Sequence, residues 1–187
     1  MNITEPFACY IGRPCYQKNA LFLVDVIEKV RDAGCTLKFV LLGVGYHSPE
    51  LEEVLHKIAD LNLENWIHLE PWISHDECMD IVRRSEFYLT TSRYEGLPLS
   101  VIEAMSLGKA IVASDVIGNR DCVRSNVNGF LLPLDADVFA KHIIELHNNV
   151  ELRKKMGKQS RQLFLEEFEI SKQIGKLQEI YDSRQNI

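Results

Sequence analysis

Apolar positions along the chain fall into short runs that alternate with longer stretches of helical spacing. The runs FACYIG (7 to 12), TLKFVLLG (36 to 43), WIHLEP (66 to 71), EFYLTTS (86 to 92), KAIVAS (109 to 114) and GFLLP (129 to 133) read as strands. Several are almost continuously apolar, as strands covered on both faces are. Between them ALFLVDVIEKVRDAG (20 to 34), PELEEVLHKIADLN (49 to 62), HDECMDIVRRS (75 to 85) and LPLSVIEAMSLG (97 to 108) read as helices. Ser74 and Glu77 stand in capping-box spacing before the third, and Pro98 takes a first-turn position in the fourth. Gly34 and Gly108 read as stops. From about 135 onward the pattern is helical only, in DADVFAKHIIELHNNV, VELRKKMGKQSRQLFLEEF and EISKQIGKLQEIYDSR. Six β/α alternations predict an α/β fold, a doubly wound parallel sheet of about six strands with C-terminal helices.

Composition narrows the function classes. The 187 residues, 46% apolar and 26% charged, suit one globular domain with a single core. Lys and Arg number 21 against 27 Asp and Glu, a formal net charge of -6, so nothing global attracts a nucleic-acid backbone or an anionic membrane. An anionic ligand must be held by local groups. The five cysteines, at 9, 15, 35, 78 and 122, are odd in number and show no C-x-x-C pairing, which predicts reduced thiols in a cytoplasmic setting. The N-terminal MNITEPFACYIGR has no basic segment followed by an apolar run, and no window approaches 18 unbroken apolar residues.

In an open parallel sheet ligands bind at the carboxyl ends of the strands, where loops meet helix N-termini. After the first strand, GRPCYQKNA carries Arg13 and Lys18, two cations that either neutralise a diphosphate or lie in a solvated loop. After the second, GVGYHS has Ser48 where a dinucleotide fingerprint wants a third glycine, so a nicotinamide site has little support; Gly43 and Gly45 fit a close backbone approach instead. After the third, Trp72 and Ile73 offer either a wall for a nucleobase or a cover for the core edge. After the fourth, SRYEGLPLSVIEAM sets Glu95 before a helix and Glu103 within it. Glu103 lies about 200° from Val101 around that helix, off the sheet-facing stripe, and by itself reads equally as a solvated residue. No H-E-x-x-H is present, and Asp115 with Asp121 lacks a ligand cluster, so no metal is expected.

Taken together, G-R-x(4)-K, the Gly-x-Gly after the second strand, E-G-x(6)-E-A-M, S-D-x-x-G-N and NGFLLPLD make the chain from about residue 8 onward, late Tyr181 included, resemble a glycosyltransferase domain. It is similar to the C-terminal, donor-binding domain of the retaining GT-B glycosyltransferases of the large family-four group, glycosyl transferases group 1. The resemblance implies a Rossmann-like half of a GT-B fold, one nucleotide-sugar-binding domain over 1–187, with the N-terminal acceptor domain absent from this chain. By that resemblance Arg13 and Lys18 bind the diphosphate of a UDP- or GDP-linked sugar and steady the leaving group. Glu95 stands near the donor sugar, with the loop amides of Gly96, Leu97 and Leu99 around it; Glu103 accepts from ribose hydroxyls. Ile73 reads the base through its backbone, and Gly12 and Gly43 join the donor-binding set. Pro98 stands where many members have Gly and offers no N–H, and Asn19, also a frequent Gly, is expected to alter the loop's path. None of the six histidines matches the sugar-contacting His of the missing domain.

The function implied is the donor half of a retaining hexosyltransferase in cell-surface polysaccharide or glycolipid synthesis, inactive when isolated. Its setting would be cytoplasmic, at the inner membrane face through the missing domain, which brings the acceptor saccharide or lipid-linked saccharide; no nucleic-acid partner and no cofactor are expected. The alternative is a non-catalytic nucleotide-sugar-binding subunit that works with a separate acceptor-binding chain.

Overall fold

The structure is a computed structural model that describes residues 4–45 and 47–185. Six parallel strands, β1 (Phe7–Ile11), β2 (Lys38–Leu42), β3 (Ile67–Glu70), β4 (Tyr88–Thr90), β5 (Ile111–Ser114) and β6 (Gly129–Leu132), form one sheet in the order β3-β2-β1-β4-β5-β6. Cys9 of β1 sits between Val40 of β2 and Tyr88 of β4. Chain order therefore runs outward from β1 in one direction, then restarts at β4 in the other. This leaves a topological switch point between β1 and β4, where loops diverge and a crevice opens.

Helices cover both faces, as the continuous apolar runs require. On one face α1 (Ala20–Asp32), α2 (Leu51–Asp60) and α6 (Ala136–Asn148) pack on Ala8, Tyr10, Phe39, Leu41, Leu89 and Val112. On the other, α3 (His75–Arg84), α4 (Leu99–Ser106) and the end of α7 (Val150–Leu163) pack on Phe7, Cys9, Val40, Leu42, Tyr88 and Ile111. The alternation along β1 and β2 is the two-residue period of a strand with two buried faces.

The capping-box and stop signals hold: Ser74 and Glu77 exchange both bonds of a capping box, and Gly34 and Gly108 adopt positive φ. Pro98, expected in the first turn of its helix, stands one residue earlier at the N-cap, with ψ 87 outside the helical range. All five cysteines are free thiols. Two elements depart from the expected pattern. A short helix, α5 (Ile117–Cys122), forms in SDVIGNRDC, where Gly118 and Asn119 are poor helix formers. It is held from outside, as the Asn119 amide donates to the carbonyl of Ser114 at 2.9 Å. The helix expected over 150–168 ends at Leu163 and passes through a π-helical turn, Phe164–Phe168, before α8 (Ile170–Gln185). Among the described residues no helix is long and apolar enough to cross a membrane.

Candidate functional site

The β1–α1 and β4–α4 loops meet over the switch point, and one ion pair joins them. Lys18 Nζ lies 2.6 Å from Glu95 Oε1, with Glu95 6% and Lys18 23% exposed. The Ser92 hydroxyl donates to the same carboxylate oxygen at 2.7 Å, and Gln17 Nε2 approaches the other at 3.4 Å. Sequence reasoning put Lys18 on a diphosphate and Glu95 on a sugar; the folded chain makes them direct partners. An ammonium has three donors, so Lys18 keeps capacity for a further acceptor while it holds Glu95.

The backbone beneath Lys18 is fixed by residues that the sequence did not single out. Tyr10, buried at the end of β1, donates from its hydroxyl to the Lys18 carbonyl at 3.0 Å. The Thr91 hydroxyl reaches the carbonyls of Lys18 at 3.1 Å and Asn19 at 3.2 Å. Burial pushes the Tyr10 phenol well up, which keeps it a neutral donor. Gly12 makes room for this bond, since a Cβ there would stand 2.7 Å from the Tyr10 hydroxyl. Asn19 has φ 56 and is buried. Asparagine tolerates the left-handed region that glycine occupies freely, so Asn19 meets a backbone requirement that glycine would also meet. Gly43, at φ 84, packs on the Gly12–Arg13 backbone. Arg13 is exposed on the same loop, and among the described residues its side chain has no hydrogen-bond or ion-pair partner.

Helices α1 and α4 follow the two strands at the switch point, and both begin without a side-chain cap and without an acidic residue in the first turn. Helices α2, α3, α6 and α7 each carry Asp or Glu there, whereas α5 and α8, which do not flank the switch point, also lack one. Unopposed N-termini present the positive end of the helix dipole and free N–H groups to the crevice. At α4 the amides of Gly96, Leu97, Leu99 and Ser100 donate to no acceptor among the described residues, and the exposed Leu97 and Leu99 leave that backbone open. Pro98 occupies the N-cap position, makes no side-chain capping bond and has no N–H of its own.

Ile73 and Glu103 lie together on the α3–α4 side. Ile73 is half-buried against the core, and His75 Nε2 sits 3.0 Å from Glu103 Oε1. Glu103 is 37% exposed and faces away from the sheet, as its helical position predicts. Trp72 does not cover the core edge: it is 73% exposed, with its indole laid over Gly45, where a Cβ would overlap the ring. Asp115, at the end of β5, is bound by Arg120 Nε at 2.6 Å, and this bond holds its carboxyl below the usual range. The S-D-x-x-G-N stretch meets the site through Gly118. A Cβ there would lie 2.4 Å from the Gly96 carbonyl oxygen and 2.7 Å from that of Glu95, so only glycine lets α5 support the Glu95–Gly96 turn.

The family model described as glycosyl transferases group 1 matches residues 2–163. The chain belongs to this family. Similar curated proteins include an Escherichia coli UDP-Gal:alpha-D-GlcNAc-diphosphoundecaprenol alpha-1,3-galactosyltransferase, 27% identical over 91% of this chain and 44% of that protein. A Staphylococcus aureus poly(ribitol-phosphate) alpha-N-acetylglucosaminyltransferase is 28% identical over 96% of this chain and 36% of its own length. A crystal structure of an S. aureus TarM mutant in complex with fondaparinux, alpha-GlcNAc-glycerol and UDP superposes with a TM-score of 0.86 at 27% identity, over 95% of this chain and 36% of that one. The chain thus has the α/β, Rossmann-like architecture of GT-B glycosyltransferases and spans less than half the length of these relatives.

Proposed function

We propose that this chain is the donor-binding half of a retaining glycosyltransferase and holds a UDP- or GDP-linked sugar in the β1/β4 crevice. The observation that carries the reading is the pair of uncapped, acid-free helix N-termini at the switch point, with Lys18 on Glu95 between them and Arg13 unpartnered beside them. A diphosphate there meets the α4 amides, the Arg13 fork and the Lys18 ammonium. The same groups stabilise the charge that grows on the leaving nucleotide. Glu95 and Glu103 are acceptor-only groups placed on either side, suited to sugar and ribose hydroxyls. In this reading a partner domain, the N-terminal half of the GT-B pair, brings the acceptor saccharide or lipid-linked saccharide. The product is cell-surface polysaccharide or glycolipid, made in the cytoplasm at the inner membrane face, and no cofactor beyond the nucleotide-sugar takes part.

Calorimetric titration with a panel of UDP- and GDP-sugars tests the reading. Arg13→Ala should lose roughly 1.5 to 3 kcal/mol of nucleotide binding, the range for contacts to charged groups. Glu103→Gln should weaken nucleotides and leave bare pyrophosphate unchanged. The chain alone should bind donor without transferring sugar, since positioning of the acceptor is worth roughly 7 to 11 kcal/mol of barrier. If no nucleotide-sugar binds, or if Arg13→Ala binds as the parent does, the crevice is not the donor site.

A further inference from the structure

One strand away from the crevice, between the β4–α4 and β5–α5 loops, lies a hollow of about 250 Å³ lined by Arg93, Tyr94, Glu95, Asp115, Ile117 and Arg120. We propose that this hollow is a second subsite, which takes an anionic group, phosphate or carboxylate, carried on a single sugar unit. The unit is a saccharide because the inference rests on the glycosyltransferase reading; the anion follows from the hollow itself.

Among the residues that line the hollow, charge pairing leaves one cation over. Lys18 pairs with Glu95, and Arg120 with Asp115. The Arg93 guanidinium pairs with no carboxylate among the described residues; it lies over the Tyr16 ring, 4.6 Å from its centroid. Its backbone N–H donates to the Gln17 carbonyl at 2.8 Å, which ties Arg93 to the β1–α1 loop. A guanidinium stacked on a ring is fixed in plane, with its N–H donors left on the rim, where they match the two oxygens of a carboxylate or phosphate. Arg93 is thus a cation held in orientation by a ring and by its own backbone, at the rim of a hollow whose other charges are already paired. Tyr94 and Ile117 are both exposed and offer apolar faces for a sugar ring. The volume is below the roughly 300 to 1,000 Å³ of drug-sized sites, which suits one sugar unit rather than an oligosaccharide.

Two sources share this chemistry: a charged acceptor, or a donor whose sugar bears a carboxylate. Heteronuclear NMR titrations of the chain with glucose 6-phosphate, glucuronate and glucose, with and without saturating UDP, read the acceptor source. UDP-glucuronate against UDP-glucose reads the donor source. The proposal expects at least one anionic probe to bind more tightly than its neutral counterpart. Arg93→Ala should weaken that probe about tenfold or more, as loss of a charge-assisted contact does. Arg93→Lys should fall between, and UDP should bind all three proteins equally. In the titrations without UDP, Arg13→Ala should leave the anionic probe unaffected, which separates the hollow from the diphosphate site. If UDP itself fails to bind, the donor reading falls, yet the titrations without UDP still decide the hollow. Equal binding of anionic and neutral probes, or an Arg93→Ala variant that binds them as the parent does, overturns the proposal.

Discussion

Removing Lys18 should cost the fold more than a surface cation normally would, because it leaves Glu95 buried. Breaking a buried pair from one side costs about 3 to 5 kcal/mol. Lys18 is 23% exposed and the Ser92 hydroxyl stays on the carboxylate, so water and a remaining donor soften the loss to roughly 2 to 3 kcal/mol for Lys18→Met. For a chain of this size each kcal/mol moves Tm by about 2 to 4 °C, so the variant should melt roughly 4 to 12 °C lower. Glu95→Gln alone leaves Lys18 without its partner and should cost less, since a lysine tip can turn to solvent. In the double variant neither charge is stranded, and the two losses should fail to add by more than about 1 kcal/mol. Urea unfolding of parent, both singles and the double at one pH closes the cycle. Losses that add to within about 0.5 kcal/mol would refute the reasoning, because independent sites behave that way.

Gly118→Ala forces a methyl group against the Gly96 and Glu95 carbonyls and should destabilise by about 1 to 3 kcal/mol, read by urea unfolding, with donor affinity reduced in the same protein. Tyr10→Phe removes one of two donors to the Lys18 carbonyl and should cost about 1 kcal/mol by the same measurement, with nucleotide affinity lowered as the Lys18 loop loosens. Burial lowers the Lys109 ammonium from 10.5 to about 8, while its Nζ donates to the carbonyls of Arg83 and Ser85. Between about pH 8 and 10.5 the unfolded chain holds the proton that the folded chain has released, so this group's contribution to stability rises with pH across that window. Below 8 both states are charged and the desolvation penalty is complete. The parent should therefore gain on Lys109→Met in unfolding free energy from pH 7.5 to 10, and a difference that stays flat with pH would count against it.

The sequence by itself determined the α/β alternation, because runs that are apolar on consecutive residues leave a strand no solvent face. All six strands form inside the predicted runs, trimmed at their ends where pairing stops, as in β4, which keeps only Tyr88–Thr90 of EFYLTTS. Capping at Ser74 and the stops at Gly34 and Gly108 were equally local, set by one side chain or one positive φ. The segments that carry the candidate site were legible from the rule that loops at strand carboxyl ends bind ligands. Their pairing was not. Lys18 and Glu95 are 77 positions apart and meet only because β1 and β4 are neighbours, an order that no local pattern encodes. Tyr10 and Thr91 read as ordinary strand residues until the fold brings both to the Lys18 carbonyl. Helix α5 escaped notice because Gly118 and Asn119 disfavour a helix locally; contact with the Glu95–Gly96 turn selects glycine there instead. The sequence thus determined which elements form. Tertiary structure decided which loops share a crevice, and so which charges are partners and which, like Arg13 and Arg93, pair with no carboxylate among the described residues.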